Sequence, residues 1–295
     1  MDPADERAHV SGASAWWETW HLDAVTDGGV AISVRLACAP ALGVAWWWTH
    51  LLLPDVAGAV VVRDHEVGLP RQGLEVRADG LWGELTCEAP FEHWTYGLEA
   101  FGVRLDDPAD SLRGEIGERM AVGLDVEWEV DADADAPYEY RGDLELPGYE
   151  QFGRVRGEIL LERSRWEIDA VGLRSHTWGT PSFDRPTDAL WARGADLDVS
   201  FTTAGDRAEG RIASGGISEP IATVRTETRR RADGLPVAAR HVVNDRVEIE
   251  AEMLGLVTIP IPVANGEVAV LARGPCRYEI DGRTAVGWSS RLDPP

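Results

Sequence analysis

The sequence predicts an all-β fold of the barrel or sandwich type. Short β-rich runs recur along the chain, and helical periodicity is nearly absent. Asp-Gly pairs, which favour tight hairpin turns, stand next to such runs at Asp27, Asp79, Asp233 and Asp281. Many short strands separated by regularly spaced turns are typical of a barrel or a sandwich.

The individual strands are marked by the spacing of apolar side chains. Alternation of apolar and polar residues puts one face of a strand in a core and the other in solvent. A continuous apolar run, as in residues 59–63, indicates a strand that is buried on both faces. Two short segments, near residues 107–112 and 184–189, are predicted to be helical. The alternating runs are residues 32–36, 124–130, 247–253 and 268–272.

The length of 295 residues predicts two subdomains rather than one core. The acidic, small-residue segment 131–137 lies near the midpoint and is typical of a solvated linker or loop. We therefore expect an N-terminal subdomain over residues 1–140 and a C-terminal subdomain over residues 141–295, joined near residues 131–142.

The charge balance argues against two classes of partner. Acids outnumber bases by 51 to 28, every base is Arg, and the formal net charge is −23. Such a surface repels the phosphate backbone of nucleic acids and the anionic surface of membranes. The longest apolar run, residues 44–53, is interrupted by Thr49 and His50 and is too short to span a bilayer. We expect neither a nucleic-acid partner nor stable membrane insertion.

The cysteines predict a reduced protein. Cys38, Cys87 and Cys276 are odd in number and far apart, unlike the cysteines of a disulfide scaffold or a structural zinc site. The first twelve residues are polar, unlike an apolar leader segment, so we expect a cytoplasmic location. The sequence contains no phosphate-binding glycine motif, no nucleophile-elbow serine motif and no closely spaced histidine pair. We therefore expect no nucleotide and no metal ion.

Trp is the compositional outlier, with 13 residues. A Trp side chain contributes a large apolar area and a single N–H donor. It therefore suits a deep core and equally a pocket for a flat hydrophobic ligand, and composition leaves both roles open. The expected partner is a hydrophobic small molecule.

Two segments in the middle of the chain carry a family resemblance. Residues 147–159 read PGYEQFGRVRGEI, and residues 172–179 read GLRSHTWG. This pair is similar to the signature of the hydroxyneurosporene-synthase-like (carotenoid 1,2-hydratase) and tandem lipocalin-like group, especially its uncharacterised bacterial members. Similarities in residues 17–20, 80–94 and 281–287 extend the resemblance over most of the chain.

The resemblance implies two lipocalin-like antiparallel β-barrels packed together, with an apolar cavity between or within them. It implies relatives that hydrate polyene or prenyl double bonds, and pericyclases of natural-product pathways, for which no cofactor is expected. One position departs from the group's pattern, because Ser175 stands where the group has Asp. If that Asp is the acid in the hydratases, the implied acid chemistry is lost at this position.

Two residues of the resembling segments are candidate catalytic groups. Hydration of an isolated alkene needs a carboxylic acid kept protonated by an apolar wall, and aromatic faces that stabilise a cation. Glu150 is the first candidate acid, and its alternative role is to pair with Arg154, Arg156 or Arg174. His176 is the second candidate, as an acid or base near neutral pH or as a structural imidazole bonded to the backbone.

Six residues are candidates for substrate binding. Trp178 would line the cavity or pack its floor, Arg174 would satisfy a buried carboxylate, and Gln151 would orient water or a ligand carbonyl. Glu92, His93 and Trp94 form a second cluster. On a strand, Glu92 and Trp94 would share one face while His93 points to the other. The six residues are Tyr149, Gln151, Arg174, Trp178, Glu92 and Trp94.

The resemblance, together with these candidate residues, implies a cofactor-independent enzyme that acts on a terpenoid, polyene, steroid or polyketide-like substrate in an apolar pocket. The reaction would be an acid-catalysed hydration, isomerisation or cyclisation. Two alternatives stay open. One is a non-catalytic carrier of a lipophilic ligand, since lipocalin-like barrels host carriers readily. The other is a pericyclase that preorganises a folded substrate and needs no acid.

Overall fold

The computed structural model describes residues 1–9, 11, 13–114, 117–131, 137–140, 146–263 and 266–295. It divides into two compact units. The first unit ends at Pro181, and the second begins at Ser182 and also includes the short 3₁₀ helix Pro108–Arg113. Each unit is built on one antiparallel sheet, which confirms the predicted all-β class. None of the described helices is long and apolar enough to cross a membrane.

The first unit contains strands β1 to β11 and closes into a barrel. The strand order β4-β3-β2-β1-β11-β10-β8-β7 returns on itself, because the end of β7 also pairs with β4. Strands β6 and β5 extend the sheet beyond β7, and β9 pairs with β10. The strands are β1 (Trp17–Val25), β2 (Ala31–Ala39), β3 (Val44–Leu52), β4 (Ala59–Gly68), β5 (Leu74–Ala78), β6 (Leu81–Ala89), β7 (His93–Leu105), β8 (Glu118–Val130), β9 (Tyr138–Tyr140), β10 (Gly148–Leu161) and β11 (Ser164–Gly179).

The second unit contains strands β12 to β21 in the order β15-β14-β13-β12-β21-β20-β18-β17-β16, with β19 paired to β20. Its core includes Phe201, Ile249 and Tyr278. Two further 3₁₀ helices, Pro3–Glu6 and Pro40–Leu42, belong to the first unit. The strands are β12 (Thr187–Gly194), β13 (Leu197–Ala204), β14 (Arg207–Ser214), β15 (Ile217–Ile221), β16 (Val224–Arg230), β17 (Pro236–Val243), β18 (Val247–Met253), β19 (Val257–Pro262), β20 (Val268–Ile280) and β21 (Arg283–Asp293).

The predicted strands and turns are confirmed where the pattern was clear. In β8, Leu124, Val126 and Trp128 are buried while the residues between them are exposed, as alternation requires. All four Asp-Gly pairs lie in turns between paired strands. At the turn between β20 and β21 both Asp281 and Gly282 have positive φ, the geometry that matches the twist of a hairpin.

Two predictions about organisation differ from the structure. The division at residues 140/141 is not observed, because β10 and β11 pair with β8 and β1 inside the first sheet. Most of the acidic segment 131–137 lies outside the described residues, and the strands that flank it, β8 and β9, both belong to the first sheet. Residues 184–189 are not helical, since β12 begins at Thr187 and continues through the buried residues 190–192. The helix expected near residues 107–112 is present as Pro108–Arg113.

Candidate active site

The register of β10 and β11 decides which candidate side chains lie together. Tyr149 is aligned with His176, and Gln151 with Arg174. Residues directly opposite each other in an antiparallel pair project from the same face. That face also carries Trp20 of β1, which is aligned with His176 and belongs to the barrel core. The four motif residues therefore point into the first barrel.

Arg174 lies inside the barrel and binds the carboxylate of Glu6, which comes from the first 3₁₀ helix. Arg174 donates from Nη1 to Oε2 at 3.1 Å and from Nη2 to Oε1 at 2.5 Å. The Tyr149 hydroxyl donates to Oε2 at 2.5 Å, and the backbone N–H of Phe91 donates to Oε1 at 2.7 Å. Gln151 accepts from Arg174 Nη2 at 3.0 Å and so helps to orient the guanidinium.

Aromatic rings surround the Arg174 guanidinium. Its central carbon lies 4.7 Å from the ring centroid of Trp128, 5.2 Å from Tyr149, 5.5 Å from Trp94 and 5.9 Å from Phe91. Burial alone would lower the pKa of Arg174, but Tyr149 and Glu6 reverse that effect and raise it, so the cation is retained. Burial raises the pKa of Tyr149, which therefore remains a neutral hydroxyl donor.

His176 forms a second buried cluster with Glu18 of β1 and with His9. Its Nε2 lies 2.8 Å from Glu18 Oε1, and the same oxygen lies 2.8 Å from Nδ1 of His9. The His9 backbone N–H also donates to both Glu18 oxygens, at 2.9 and 3.0 Å. His176 stacks on Trp20, and His9 stacks on Trp178 with ring centroids 3.8 Å apart. Glu18 and His176 are buried, whereas the His9 side chain is 25% exposed.

The electrostatics of this cluster set the form of His176. Burial lowers the pKa of His176, and the hydrogen bond and charge of Glu18 oppose that shift without reversing it. A neutral imidazole whose Nε2 faces a carboxylate carries its proton on Nε2, so Nδ1 presents a lone pair. Among the described residues, His176 Nδ1 has no hydrogen-bond partner. The ring is therefore arranged as a base.

His9, Glu18 and His176 also offer one ligand atom each to a metal ion, all within 4.8 Å of one another. Two imidazoles and one carboxylate are a ligand set that zinc accepts. The 2.8 Å separations of Glu18 from both rings are hydrogen-bond distances, shorter than the separation of about 3.3 Å between ligands of tetrahedral zinc. The geometry fits proton sharing better than metal binding.

Glu150 lies on the other face of the same strands. It is aligned with Ser175, is buried, and accepts a hydrogen bond from the Tyr140 hydroxyl. Glu150 and His176 therefore do not meet in one pocket. The arginines considered as its partners bind other carboxylates: Arg154 binds Asp169, Arg156 binds Glu129 and Arg174 binds Glu6.

The second predicted cluster separates in the same way. Trp94 is buried inside the barrel beside Arg174. Glu92 precedes β7 and is exposed; its backbone N–H donates to the Ala89 carbonyl, and its own carbonyl accepts from the Val130 N–H. A turn at residues 89–92 ends the alternation that would have put Glu92 and Trp94 on one face.

A family model for a domain of unknown function, DUF7064, matches residues 2–295. The chain belongs to the DUF7064 family. No curated protein matches this DUF7064 chain.

Solved structures share the fold of this DUF7064 chain. The AttH candidate NE1406 from Nitrosomonas europaea aligns with a TM-score of 0.62 and 13% identity, covering 93% of this chain and 92% of its own. CghA aligns with a TM-score of 0.58 and 12% identity, covering 95% and 89%. Kievitone hydratase from Nectria haematococca aligns with a TM-score of 0.53 and 9% identity, covering 96% and 92%. These likenesses confirm the tandem lipocalin-like fold that the resemblance implied.

Three titratable residues of this candidate site, Glu6, His9 and Glu18, were missed by the sequence analysis. Glu18 lies in the run 17–20, which was noted only as an opening strand, although a Glu between Trp residues in a buried strand signals a paired carboxylate. Glu6 and His9 come from the polar first twelve residues, where no periodicity marks them.

The second unit of the DUF7064 chain contains a cavity of about 610 Å³. Seven charged side chains line it, so it does not suit an apolar ligand. A smaller adjoining pocket contains the Asp188–Arg291 ion pair and the buried His241. The seven charged residues are Glu227, Arg229, Arg240, Glu250, Glu252, Arg277 and Glu279.

Proposed function

We propose that this chain is an enzyme that transfers protons on a hydrophobic small molecule, with His176 as the acid–base group and without a cofactor. The observation that carries the proposal is the 2.8 Å contact between His176 Nε2 and the buried Glu18 carboxylate. A carboxylate that holds an imidazole in one tautomer and stabilises its cation is a recurring arrangement in proton-transfer sites.

The direction of the His176 pKa supports base catalysis as the first step. A lowered pKa keeps the ring neutral at neutral pH, so Nδ1 can accept a proton from carbon or from an attacking water. The resulting imidazolium is stabilised by Glu18, exchanges its proton with solvent and then protonates another carbon. This order of proton transfers suits isomerisation, cyclisation, or hydration of a conjugated double bond better than it suits direct protonation of an isolated alkene.

The surroundings of His176 support a hydrophobic substrate. The rings of Trp20, Trp178 and Tyr149 lie 4.7, 5.2 and 5.7 Å from the His176 ring. Such walls exclude water and favour developing positive charge. His176 itself is fully covered, and the partly exposed rings beside it are those of Trp178 and His9, with centroids 5.2 and 5.5 Å away. A ligand therefore reaches His176 when the segment bearing His9 moves aside.

Two structural neighbours add support at the level of fold. One is named as a hydratase, and CghA has been solved with the small molecule Sch210972. Ser175, the position that departs from the resembling group, lies on the face of Glu150 and away from His176. The departure therefore leaves the proposed acid–base group intact.

The test is incubation of the purified protein with prenyl, polyene and steroid compounds in deuterated, oxygen-18 water, read by mass spectrometry. We expect deuterium on product carbon, and oxygen-18 only if the reaction is a hydration. His176→Gln should lower turnover by about 10²-fold or more, as the loss of an acid–base group does. His93→Gln is the matched control, because His93 is a partly exposed histidine of the same barrel.

Other results would redirect the assignment. Conversion without deuterium that persists in His176→Gln would overturn the proposal in favour of a pericyclase. Compounds that quench Trp fluorescence but return unchanged and unlabelled would overturn it in favour of a carrier.

A further inference from the structure

We infer that the interior of the first barrel is a binding site for the carboxylate of a hydrophobic substrate, and that Glu6 of the chain's own N-terminal segment occupies it here. The inference rests on the proposed function, because it names the class of substrate that His176 would act on.

The site satisfies a carboxylate completely. Both Glu6 oxygens accept two hydrogen bonds each, from the two Nη atoms of Arg174, the Tyr149 hydroxyl and the Phe91 backbone N–H. A forked guanidinium matches the two oxygens of a carboxylate in direction as well as in charge. Among the described residues, Arg174 Nε has no hydrogen-bond partner, so one further buried donor remains for a ligand atom.

The donors are held in place by residues that do not bind Glu6. Gln151 accepts from Arg174 Nη2 and donates from Nε2 to the Phe91 carbonyl at 3.0 Å, so a single amide fixes both donor groups. Phe91 has a φ of 60°, a left-handed conformation that side chains of its size rarely adopt. Strain of this kind persists where a function needs the backbone turned. Here it aims an N–H at the carboxylate.

The walls of the site select the rest of the ligand. The rings of Trp94, Trp128, Tyr149 and Phe91 surround the guanidinium within 6 Å. A carboxylate bound there must carry an apolar, preferably flat, body. Arg174 and His176 lie two residues apart on one strand face, which spaces them by about 7 Å. The reacting carbon of the substrate would lie at about that distance from its carboxylate.

The segment that carries Glu6 is held by few contacts. Glu6 is the only buried residue of the helix Pro3–Glu6, and Arg7 and Ala8 after it are exposed. The other attachments are Met1, whose amino group lies 3.7 Å from Glu139 Oε1, and His9, through Glu18 and Trp178. A buried ion pair gives little net stability over apolar packing, so stability alone does not account for this one. A ligand carboxylate would replace Glu6 on the same donors and free the segment, uncovering Trp178 and His176 together.

The first test uses the unmodified protein and two probes of the same shape, 2-naphthoate and the neutral 2-naphthamide. Displacement of the segment frees the exposed Arg7–Ala8 bond from the fixed backbone conformation that Glu6 and His9 impose on either side, so saturating 2-naphthoate should accelerate tryptic cleavage there at least threefold. The amide should not accelerate it. Cleavage that neither probe changes, or that both change equally, would overturn the inference.

The second test compares affinities by calorimetry. Glu6→Ala removes the internal competitor and should bind 2-naphthoate at least tenfold more tightly than the unmodified protein, with no such gain for the amide. Glu88→Ala, which removes an exposed carboxylate of the same unit, is the control and should bind as the unmodified protein does. A folded Glu6→Ala variant without the gain would overturn the inference. Tight 2-naphthoate binding by a protein that never labels any substrate would instead preserve the inference and overturn the proposed function.

Discussion

Glu150 of β10 and His176 of β11 project from opposite faces of one strand pair. Glu150 is aligned with Ser175, and His176 with Tyr149. Since neighbouring residues on a strand alternate between faces, the two candidate catalytic groups serve different surroundings. Glu150 binds the Tyr140 hydroxyl, while His176 binds Glu18 inside the barrel.

This separation predicts that the two groups can be removed independently. Glu150→Gln retains an oxygen that can accept from Tyr140, and we expect turnover in the isotope assay within about threefold of the unmodified protein. His176→Gln should lose about 10²-fold or more. An equal loss in both variants, with unchanged thermal unfolding, would show that the reaction takes place on the face of Glu150.

Acid should destabilise the protein through its buried histidines. Burial lowers the pKa of His241 from 6.5 to about 4, and that of His176 is lowered as well. Below pH 6.5 His241 is protonated in the unfolded chain, whereas in the folded protein it stays neutral until the pH reaches about 4. Stability is therefore intact above pH 6.5 and is lost as the pH falls, by about 1.4 kcal/mol per pH unit for each such group.

Urea unfolding between pH 7.5 and pH 4.5 measures this loss. His241→Asn should flatten the curve, because Asn does not titrate. The prediction would be contradicted if, as the pH is lowered, the unfolding free energy of the variant decreased as steeply as that of the unmodified protein.

Trp128 should contribute strongly to stability. It is fully buried, belongs to the barrel core and lies against the Arg174 guanidinium. Trp128→Ala leaves a large cavity and should cost about 3–5 kcal/mol of unfolding free energy. Leu160→Ala, at a 42% exposed position of β10, should change it by less than about 0.5 kcal/mol. Comparable losses in both variants by denaturant titration would contradict this prediction.

Gly153 of the Gly-Arg motif should be required by close packing. A β-carbon there would lie 2.5 Å from the Trp128 ring and 2.4 Å from the Glu129 carbonyl oxygen. Gly153→Ala should therefore cost about 1–3 kcal/mol and displace Trp128, with a shift in Trp fluorescence. Gly68→Ala is the control, since a β-carbon at that strand position meets nothing within 4 Å. A Gly153→Ala protein as stable as this control would refute the packing argument.

The sequence predicted the strands and hairpins because their signals are local. Alternation in β8 and the Asp-Gly turns need no knowledge of partners. The same alternation predicts that Glu150 points to the opposite face of β10 from Tyr149 and Gln151. Which of these residues lies beside His176 depends on the strand register, which a single sequence does not specify. The 140/141 division was misplaced because the acidic composition of a segment indicates that it is exposed to solvent. Composition does not indicate which sheet the strands on either side of the segment belong to.

The charged contacts of the site were predictable only in part. Arg174 was expected to satisfy a buried carboxylate such as that of Glu150, and in the structure it binds Glu6 instead. Glu6 is separated from Arg174 by 168 positions and lies in a polar segment without periodicity. No local pattern encodes such a contact.

The pairing of β1 with β11 has a consequence for how the site is assembled. Glu18 is carried by the first strand of the barrel, whereas Arg174 and His176 are carried by the last strand of the same unit. Chain growth therefore has to pass residue 179 before the ring of strands can close, and closure over so long a loop is slow. A ribosome-bound chain shorter than this has neither a closed barrel nor the contact between Glu18 and His176, so the proposed acid–base pair and the closed barrel form in the same folding event.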